Sequence, residues 1–333
     1  MEEILDLRQL RPAQLEPLLA AEVEDWRRDL LWDYGASLSL IRQYLTARVL
    51  TGYGLVDHDG RGTARGYGFY LAEDDKAILG DLYVHPEWRD AARSRERLLL
   101  AAMLETLQAT PGLSRIEAQL MPFRPAELRP EFLAHGFRAY SRGFFRLELS
   151  SWTPDGSVKA AGAGLELEPW SDDGLEESAA LIHRAYAGSI DATINDHYRT
   201  EAGALRFLHN VTRFPGCGAF DAACSWRLRR GDGRYAGLVL VSRVEDGVAH
   251  ITQICVLPEA RGGGLGRRLL SAALNSLRLR GYRISTLTVT SSNASAVTLY
   301  RRMGYREWRD FDAYVWEGGR EVFSRQRGHM GRS

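Results

Sequence analysis

The sequence predicts a mixed α+β / α/β chain built twice over, and three observations carry that expectation. First, a strand, a glycine cluster and an amphipathic helix follow one another between His250 and Gly281. Second, a worn version of the same succession runs from Ala77 through Met103. Third, the stretch 151–163 between them is small, polar and rich in Pro and Gly, as linkers are. With 333 residues, 45% hydrophobic and 26% charged, the chain has room for about two domains. The expected division is a domain over 1–150, a linker over 151–163, a second domain over 164–318 and a tail over 319–333.

In the first half, Ile4–Leu7 reads as a strand and two helical stretches follow, near Ala13–Arg28 and Ser37–Leu50. Strands near Gly54–Asp57 and Gly66–Ala72 flank the turn His58-Asp-Gly-Arg-Gly62. Ala77–Arg89 then parallels Thr252–Arg261, and Arg97-Leu-Leu-Leu-Ala-Ala-Met103 parallels Arg268-Leu-Leu-Ser-Ala-Ala-Leu274. Phe132-x-x-x-Gly136-Phe137 repeats as Tyr300-x-x-x-Gly304-Tyr305. The copy has lost its glycines: Asp90-Ala-Ala-Arg-Ser-Arg-Glu96 stands where the second half has Gly262–Gly266. Side chains on that loop, with acids beside them, make it a poor anion site.

In the second half, Leu165–Pro169 reads as a strand. A helix capped near Ser171 or Asp172 follows, with Leu175, Ala179, Ile182 and Ala185 on one face. A further helix is expected over Glu201–Thr212. Strands Gly218–Leu228 and Tyr235–Val244 flank the turn Arg229–Arg234. His250–Leu257 is apolar and β-branched and stops at Pro258, as a strand does. Leu269, Leu270, Ala273, Leu274 and Leu277 then have helical spacing, closed by Gly281.

Strand, glycine loop and helix together present unpaired N–H groups and a positive dipole end to phosphate. Three phosphate-binding designs share that outline. A Walker loop needs a Lys after its last Gly, and no Lys occurs beyond Lys159. A dinucleotide fold needs an acid about 20 residues on, and there is none from Ala260 to Arg306. That stretch instead carries nine arginines, among them Arg261, Arg267 and Arg268, which suits a ligand with several phosphates such as coenzyme A.

Arg261-x-x-Gly264-x-Gly266 matches the pyrophosphate loop of the GNAT (GCN5-related) N-acetyltransferase superfamily. Leu287–Thr290, followed by Asn293-x-x-Ala296-x-x-Leu299-Tyr300 and Gly304-Tyr305, resembles its later strand and helix. The resemblance implies two tandem GNAT-like domains, each a mixed, mostly antiparallel sheet flanked by helices, the first degenerate and the second intact. It further implies acetyl-CoA as donor and the amine of a small molecule or peptide as acceptor. Arg261, Gly262, Gly263, Gly264, Leu265, Gly266 and Arg267 would hold the phosphates, with Cys255, Val256 and Asn293 along the cofactor arm. A backbone N–H of Ile254, or of its neighbour Cys255, would polarise the thioester carbonyl. Tyr300 would protonate the leaving thiolate. His250 stands where family members often place an acidic base, so a histidine base is expected there. Asp191, Asp196, His197 and Tyr198 lie in the connection that commonly walls the acceptor site, and with Glu245 they are the other candidate bases. Cys217 is no nucleophile on this reading, because direct transfer needs no acyl-enzyme.

Lys+Arg 43 against Asp+Glu 43 gives no argument for nucleic acid or membrane partners. Three cysteines form no disulfide framework and no metal-ligand spacing is visible. The longest apolar run, Leu98–Leu104, is far short of a membrane span, and the acidic start has no apolar signal core, so a cytoplasmic protein is expected. Two alternatives to the leading reading are a non-catalytic acyl-CoA-binding or sensing protein and a mycothiol-synthase-like acetyltransferase. A transferase using aminoacyl-tRNA fits less well with the neutral charge and intact loop. Tyr300 and Asn293 favour an enzyme, since a sensor needs only the loop.

Overall fold

The computed structural model describes residues 2–57, 62–154, 164–214, 216 and 218–318, which form two compact units. The first unit takes the described residues of Met1–Glu22, Leu40–Tyr140 and Asp312–Ser333; the second takes Val23–Ser39 and Ser141–Phe311. Of the sequence expectations, most of the turn at 58–62, most of the linker, Cys217 and the tail over 319–333 lie outside the described residues.

In the first unit, β1 (Glu2–Asp6), β2 (Thr51–Asp57), β3 (Ala64–Glu73) and β4 (Lys76–Val84) run antiparallel in that order. β5 (Arg115–Gln119) lies parallel to β4, and Ala313–Glu317 of the last strand, β13 (Arg306–Glu317), closes the sheet antiparallel to β5. Helix α3 (Ser94–Gln108) buries Leu99, Leu100, Met103, Leu104 and Leu107, spaced three and four apart, against Leu55, Leu79 and Leu82 of the sheet. Helix α4 (Pro125–Ala134) adds Leu128 and Phe132 to the same core.

In the second unit the strand order is β6-β12-β11-β10-β9-β7, over β6 (Arg138–Glu148), β12 (Ile284–Thr290), β11 (Val248–Val256), β10 (Tyr235–Glu245), β9 (Trp226–Arg230) and β7 (Leu165–Pro169). All these neighbours are antiparallel except β11 and β12. Both faces of β10 are covered, which is why it reads as an unbroken apolar run. Val239 and Val241 pack with the buried face of α8 (Leu265–Leu279), while Leu238 and Leu240 pack with α5 (Leu175–Tyr186) and α7 (Glu201–Arg213). Helices α1 (Pro12–Leu30) and α2 (Gly35–Thr46) each have residues in both units.

Each unit is completed by the strand that ends the other half of the sequence. Arg142–Glu148 of β6 pairs with Thr290–Ile284 of β12, and Ala313–Glu317 of β13 pairs with Gln119–Arg115 of β5. The compact units therefore differ from the expected halves 1–150 and 164–318, each of which gives up its last strand. Two further departures have local causes. The expected strand 218–228 is broken: β8 (Ala219–Phe220) pairs beside Ser242 and Arg243, a turn at Ala222–Cys224 follows, and only then does β9 begin. Helix α5 starts after Gly174 rather than at Ser171 or Asp172. The buried Arg227 guanidinium donates to Ser171 Oγ (2.9 Å) and the Asp173 carbonyl (2.7 Å), which holds 171–173 as a loop. No helix among the described residues is long and apolar enough to cross a membrane, and no group of three metal-ligating side chains is found among them.

Candidate active site

β11 and β12 pair in register only from Val248↔Ile284 to Ile251↔Leu287, after which they have no further pairing. At that point β11 carries an extra residue, Thr252, because Leu240 opposes Gln253 while Val241 opposes Ile251. Beyond the bulge, β11 keeps its β10 partners but has an open edge on the other side. The Leu257 N–H donates to Ala236, so the two-residue alternation turns the Cys255 N–H toward β10 and the Ile254 N–H toward the open edge. The carbonyls agree with this. Ile254 accepts from Tyr186 Oη at 3.3 Å and Val256 accepts from Arg261 Nε at 3.1 Å, both from the open side. Of the two N–H groups expected at the site, Ile254 has the outward one.

The glycine loop follows directly. Gly262 and Gly264 have φ of 85° and 76°, a region that penalises any Cβ, and a Cβ at 262, 263 or 264 would project into open space with no neighbour within 4 Å. No acceptor among the described residues takes the N–H groups of Gly262 through Gly266, and α8 begins with no side-chain cap. An uncapped helix start and a run of free donors form an anion cradle. Arg261 is part of its frame: its guanidinium reaches the Val256 carbonyl and, at 2.6 Å, that of Ala185.

Open edge and loop share one cleft of about 560 Å³, lined among others by Tyr186, Asp191, Ile254, Cys255, Val256, Gly262, Gly264, Leu265, Gly266, Arg267, Asn293 and Tyr300. Gly263 faces a neighbouring hollow beside Arg230 and Glu259. A roomier groove of about 810 Å³ elsewhere has charged walls already engaged, Asp221 with Tyr282 and Arg280, and has no such donor loop. Asn293 caps helix α9 (Ala294–Arg302), accepting from the Ala296 N–H at 3.3 Å, and lines the cleft as well. Tyr300 is 6% exposed, and its hydroxyl has no hydrogen-bond partner among the described residues. Burial, and then the negative charge of Asp191, hold its proton more tightly than in a free phenol. Cys255 is buried, and that burial pushes its thiol up to about 12, which makes it an inert wall.

Other expected residues are placed elsewhere. His250 is buried between the rings of Trp32 (5.2 Å) and Phe144 (5.9 Å), shares a 2.9 Å hydrogen bond with Thr286, and is absent from the cleft wall. Burial, with the Arg142 charge second, pushes it down to about 3, so it stays neutral and a poor proton acceptor. The base role expected of it does not fit this position. Asp196 lies 3.8 Å from Arg199, and His197 stacks on Phe207 at 4.5 Å. Tyr198 is buried and donates to Gln253 Oε1 at 2.8 Å. Glu245 is held by Arg27 at 2.8 Å. Of the connection between the first two helices, Asp191 reaches the cleft, beside Ser189 and Ile190. Tyr186 was missed by the sequence reading. It stands four residues after Ile182 on the buried face of α5, a spacing that would have pointed to it.

The first unit repeats the scaffold without the donors. Phe69 opposes Asp81 while Tyr70 opposes Leu79, so the bulge is kept at Gly80, and β4–β5 pairing ends at Leu79↔Ala118. Arg93 fills the loop instead, donating to Glu127 and, at 2.9 Å, to Glu96. Phe132 stacks on Tyr314 with ring centres 3.7 Å apart and is fully buried.

The profile of the Acetyltransferase (GNAT) family matches residues 191–305, the stretch that builds this cleft. The mycothiol acetyltransferase of Thermobispora bispora is 30% identical over 250 residues, 72% of this chain and 77% of that one. The chain belongs to the GNAT acetyltransferase family. The mycothiol acetyltransferase of Clavibacter michiganensis subsp. michiganensis is 33% identical over 147 residues, and there the match spans only 44% of either chain. In fold, this GNAT chain resembles a tandem GNAT protein from the clavulanic acid biosynthesis pathway, solved without AcCoA. The TM-score is 0.59 at 16% identity, over 96% of this chain and 99% of that one. Two tandem GNAT-like units, each a mixed, mostly antiparallel sheet with helices, agree with the fold class expected from the sequence.

Proposed function

We propose that the protein moves an acetyl group from acetyl-CoA to a primary amine of a small molecule or peptide by direct attack. The observation that carries this reading is the single cleft in which free loop N–H groups, the outward Ile254 N–H and the unbonded Tyr300 hydroxyl meet. Acetyl-CoA, when bound, supplies a thioester carbonyl open to attack and a thiolate that can leave. The N–H groups of Gly262–Gly266 and the start of α8 hold its phosphates, with Arg261 fixing the loop and Arg267 adding charge. The open edge of β11 pairs with the cofactor arm as an added strand would, and the Ile254 N–H polarises the carbonyl. Tyr300 stays protonated at neutral pH and gives its proton to the sulfur. The names of the relatives make a mycothiol-synthase-like activity the first specific one to assay. An amine-library screen that follows free thiol release from acetyl-CoA tests the reading. Thiol release that no amine in the library stimulates would remove it.

A further inference from the structure

The cleft needs a group to take the proton that the acceptor nitrogen loses, and the sequence offered five acidic, histidine or tyrosine candidates besides His250. Geometry eliminates most of them. His250 is packed between two rings, Glu245 is paired with Arg27, Asp196 stands by Arg199 and the Tyr198 hydroxyl is spent on Gln253. His197 stacks on Phe207 and is absent from the cleft wall. Asp191 alone of them lines the cleft together with Tyr300 and Ile254.

Asp191 sits in the first turn of the short helix α6 (Ile190–Ile194) and is 9% exposed. One carboxylate oxygen, Oδ1, accepts the Thr290 hydroxyl at 2.6 Å. The second oxygen has no partner among the described residues and is not sealed in protein, so it is available to the cleft. A carboxylate this buried is costly to desolvate, and one hydrogen bond offsets that cost only in part. An incoming ammonium or N–H is the partner such an oxygen lacks. The Asp191 charge also reaches the Tyr300 hydroxyl, where it strengthens the hold on the phenolic proton.

We propose that Asp191 Oδ2 binds the acceptor nitrogen and takes its proton, with Thr290 as the positioning residue that holds Oδ1. The inference rests on the acetyl-transfer reading of the cleft. Asp191 takes one proton from the bound ammonium, and the free amine so formed attacks the thioester carbon, forming the N–C bond and leaving a positive nitrogen. As the C–S bond breaks, its electron pair goes to sulfur, which takes its proton from Tyr300. Tyr300 recovers a proton from the positive nitrogen, directly or through one water, and Asp191 releases the first proton to solvent. Both groups return to their starting states with amide, free thiol and one solvent proton as products. Acceptors of this site are therefore cationic amines.

The test compares Asp191→Asn with the wild-type full chain on the best amine from the screen and on hydroxylamine, which is largely uncharged at pH 7. Acetyl-CoA binding is measured first by calorimetry. The expected result is unchanged acetyl-CoA affinity, a fall in kcat of about 10²–10⁴ with the cationic amine, and a much smaller fall with hydroxylamine. Thr290→Val, which keeps the carboxylate but frees Oδ1, should lower kcat less and leave KM for acetyl-CoA alone. It also serves as the variant of record if Asp191→Asn fails to fold. An intact kcat with a raised amine KM would reduce Asp191 to an anchor and overturn the base role, as would equal losses on both nucleophiles. A wild-type chain that binds acetyl-CoA but acetylates nothing overturns the parent reading instead.

Discussion

Arg93 and Gly264 stand at the same point of the two copies, each at the start of a helix with a left-handed backbone, φ 55° and ψ 39° for the arginine against φ 76° and ψ 9° for the glycine. The first unit thus keeps the backbone of a phosphate loop after losing the residue that made it cheap. A side chain in that region costs about 1–2 kcal/mol. Arg93 offsets it through its pairs with Glu127 and the fully buried Glu96. Calorimetry with acetyl-CoA is expected to give one site per chain, abolished by Gly264→Asp. Arg93→Gly should restore no second site and should lower stability by on the order of 2 kcal/mol or more, because it strands a buried carboxylate. Two equivalent sites in the wild type would refute this account of the first unit.

Tyr300 and Phe132 divide the copies in the same way. Tyr300→Phe is expected to lower kcat by about 10²–10⁴ with acetyl-CoA affinity barely changed, since the hydroxyl makes no structural hydrogen bond. Phe132→Ala, which empties a stacked and fully buried site, should cost about 3–5 kcal/mol in urea unfolding. Full turnover in Tyr300→Phe would leave Tyr300 a packing residue.

The sequence made local features legible and long-range ones not. Glycines 262, 263, 264 and 266 and the helix after them follow from residues close in the chain, and each stands where the spacing put it. The outward N–H at Ile254 needed the bulge at Thr252, which only the pairing with β10 shows. The fate of His250 depended on Trp32 and Phe144, more than a hundred residues away, and strand periodicity does not name such partners. For the same reason the exchange of β6 and β13 was invisible: alternation says that a strand exists and which face is apolar, but not which edge it joins.

That exchange makes a clean cut at the linker destructive. A fragment of residues 164–333 lacks Arg142–Glu148, the strand that covers β12 over seven register pairs, and also Trp32 above His250. It exposes a long unpaired edge and part of an apolar face. Circular dichroism melts and thiol-release assays should show a fragment that is less stable, less active or aggregated. A soluble fragment with full activity would show that β6 is dispensable to the second unit.

The structural role of His250 is separable by experiment from the catalytic one its position suggested. In the folded chain it is pushed down to about 3, against ≈ 6.5 in an unfolded chain. Between those values the unfolded state binds a proton that the native state refuses, so stability rises with pH there. The His250 contribution is complete above about pH 6.5 and is lost as pH falls toward 3, at roughly 1.4 kcal/mol per pH unit in mid-window. Urea unfolding of the wild type and of His250→Gln, compared at matched pH, isolates this group from the carboxylates that titrate in both. The difference between them should be constant above pH 7 and should shrink steadily below pH 6. Turnover should behave oppositely: the kcat/KM profile of His250→Gln should keep the shape of the wild-type profile at a reduced or equal height. A wild-type limb near pH 6.5 that vanishes in the variant would return the proton to His250 and displace Asp191 from that role.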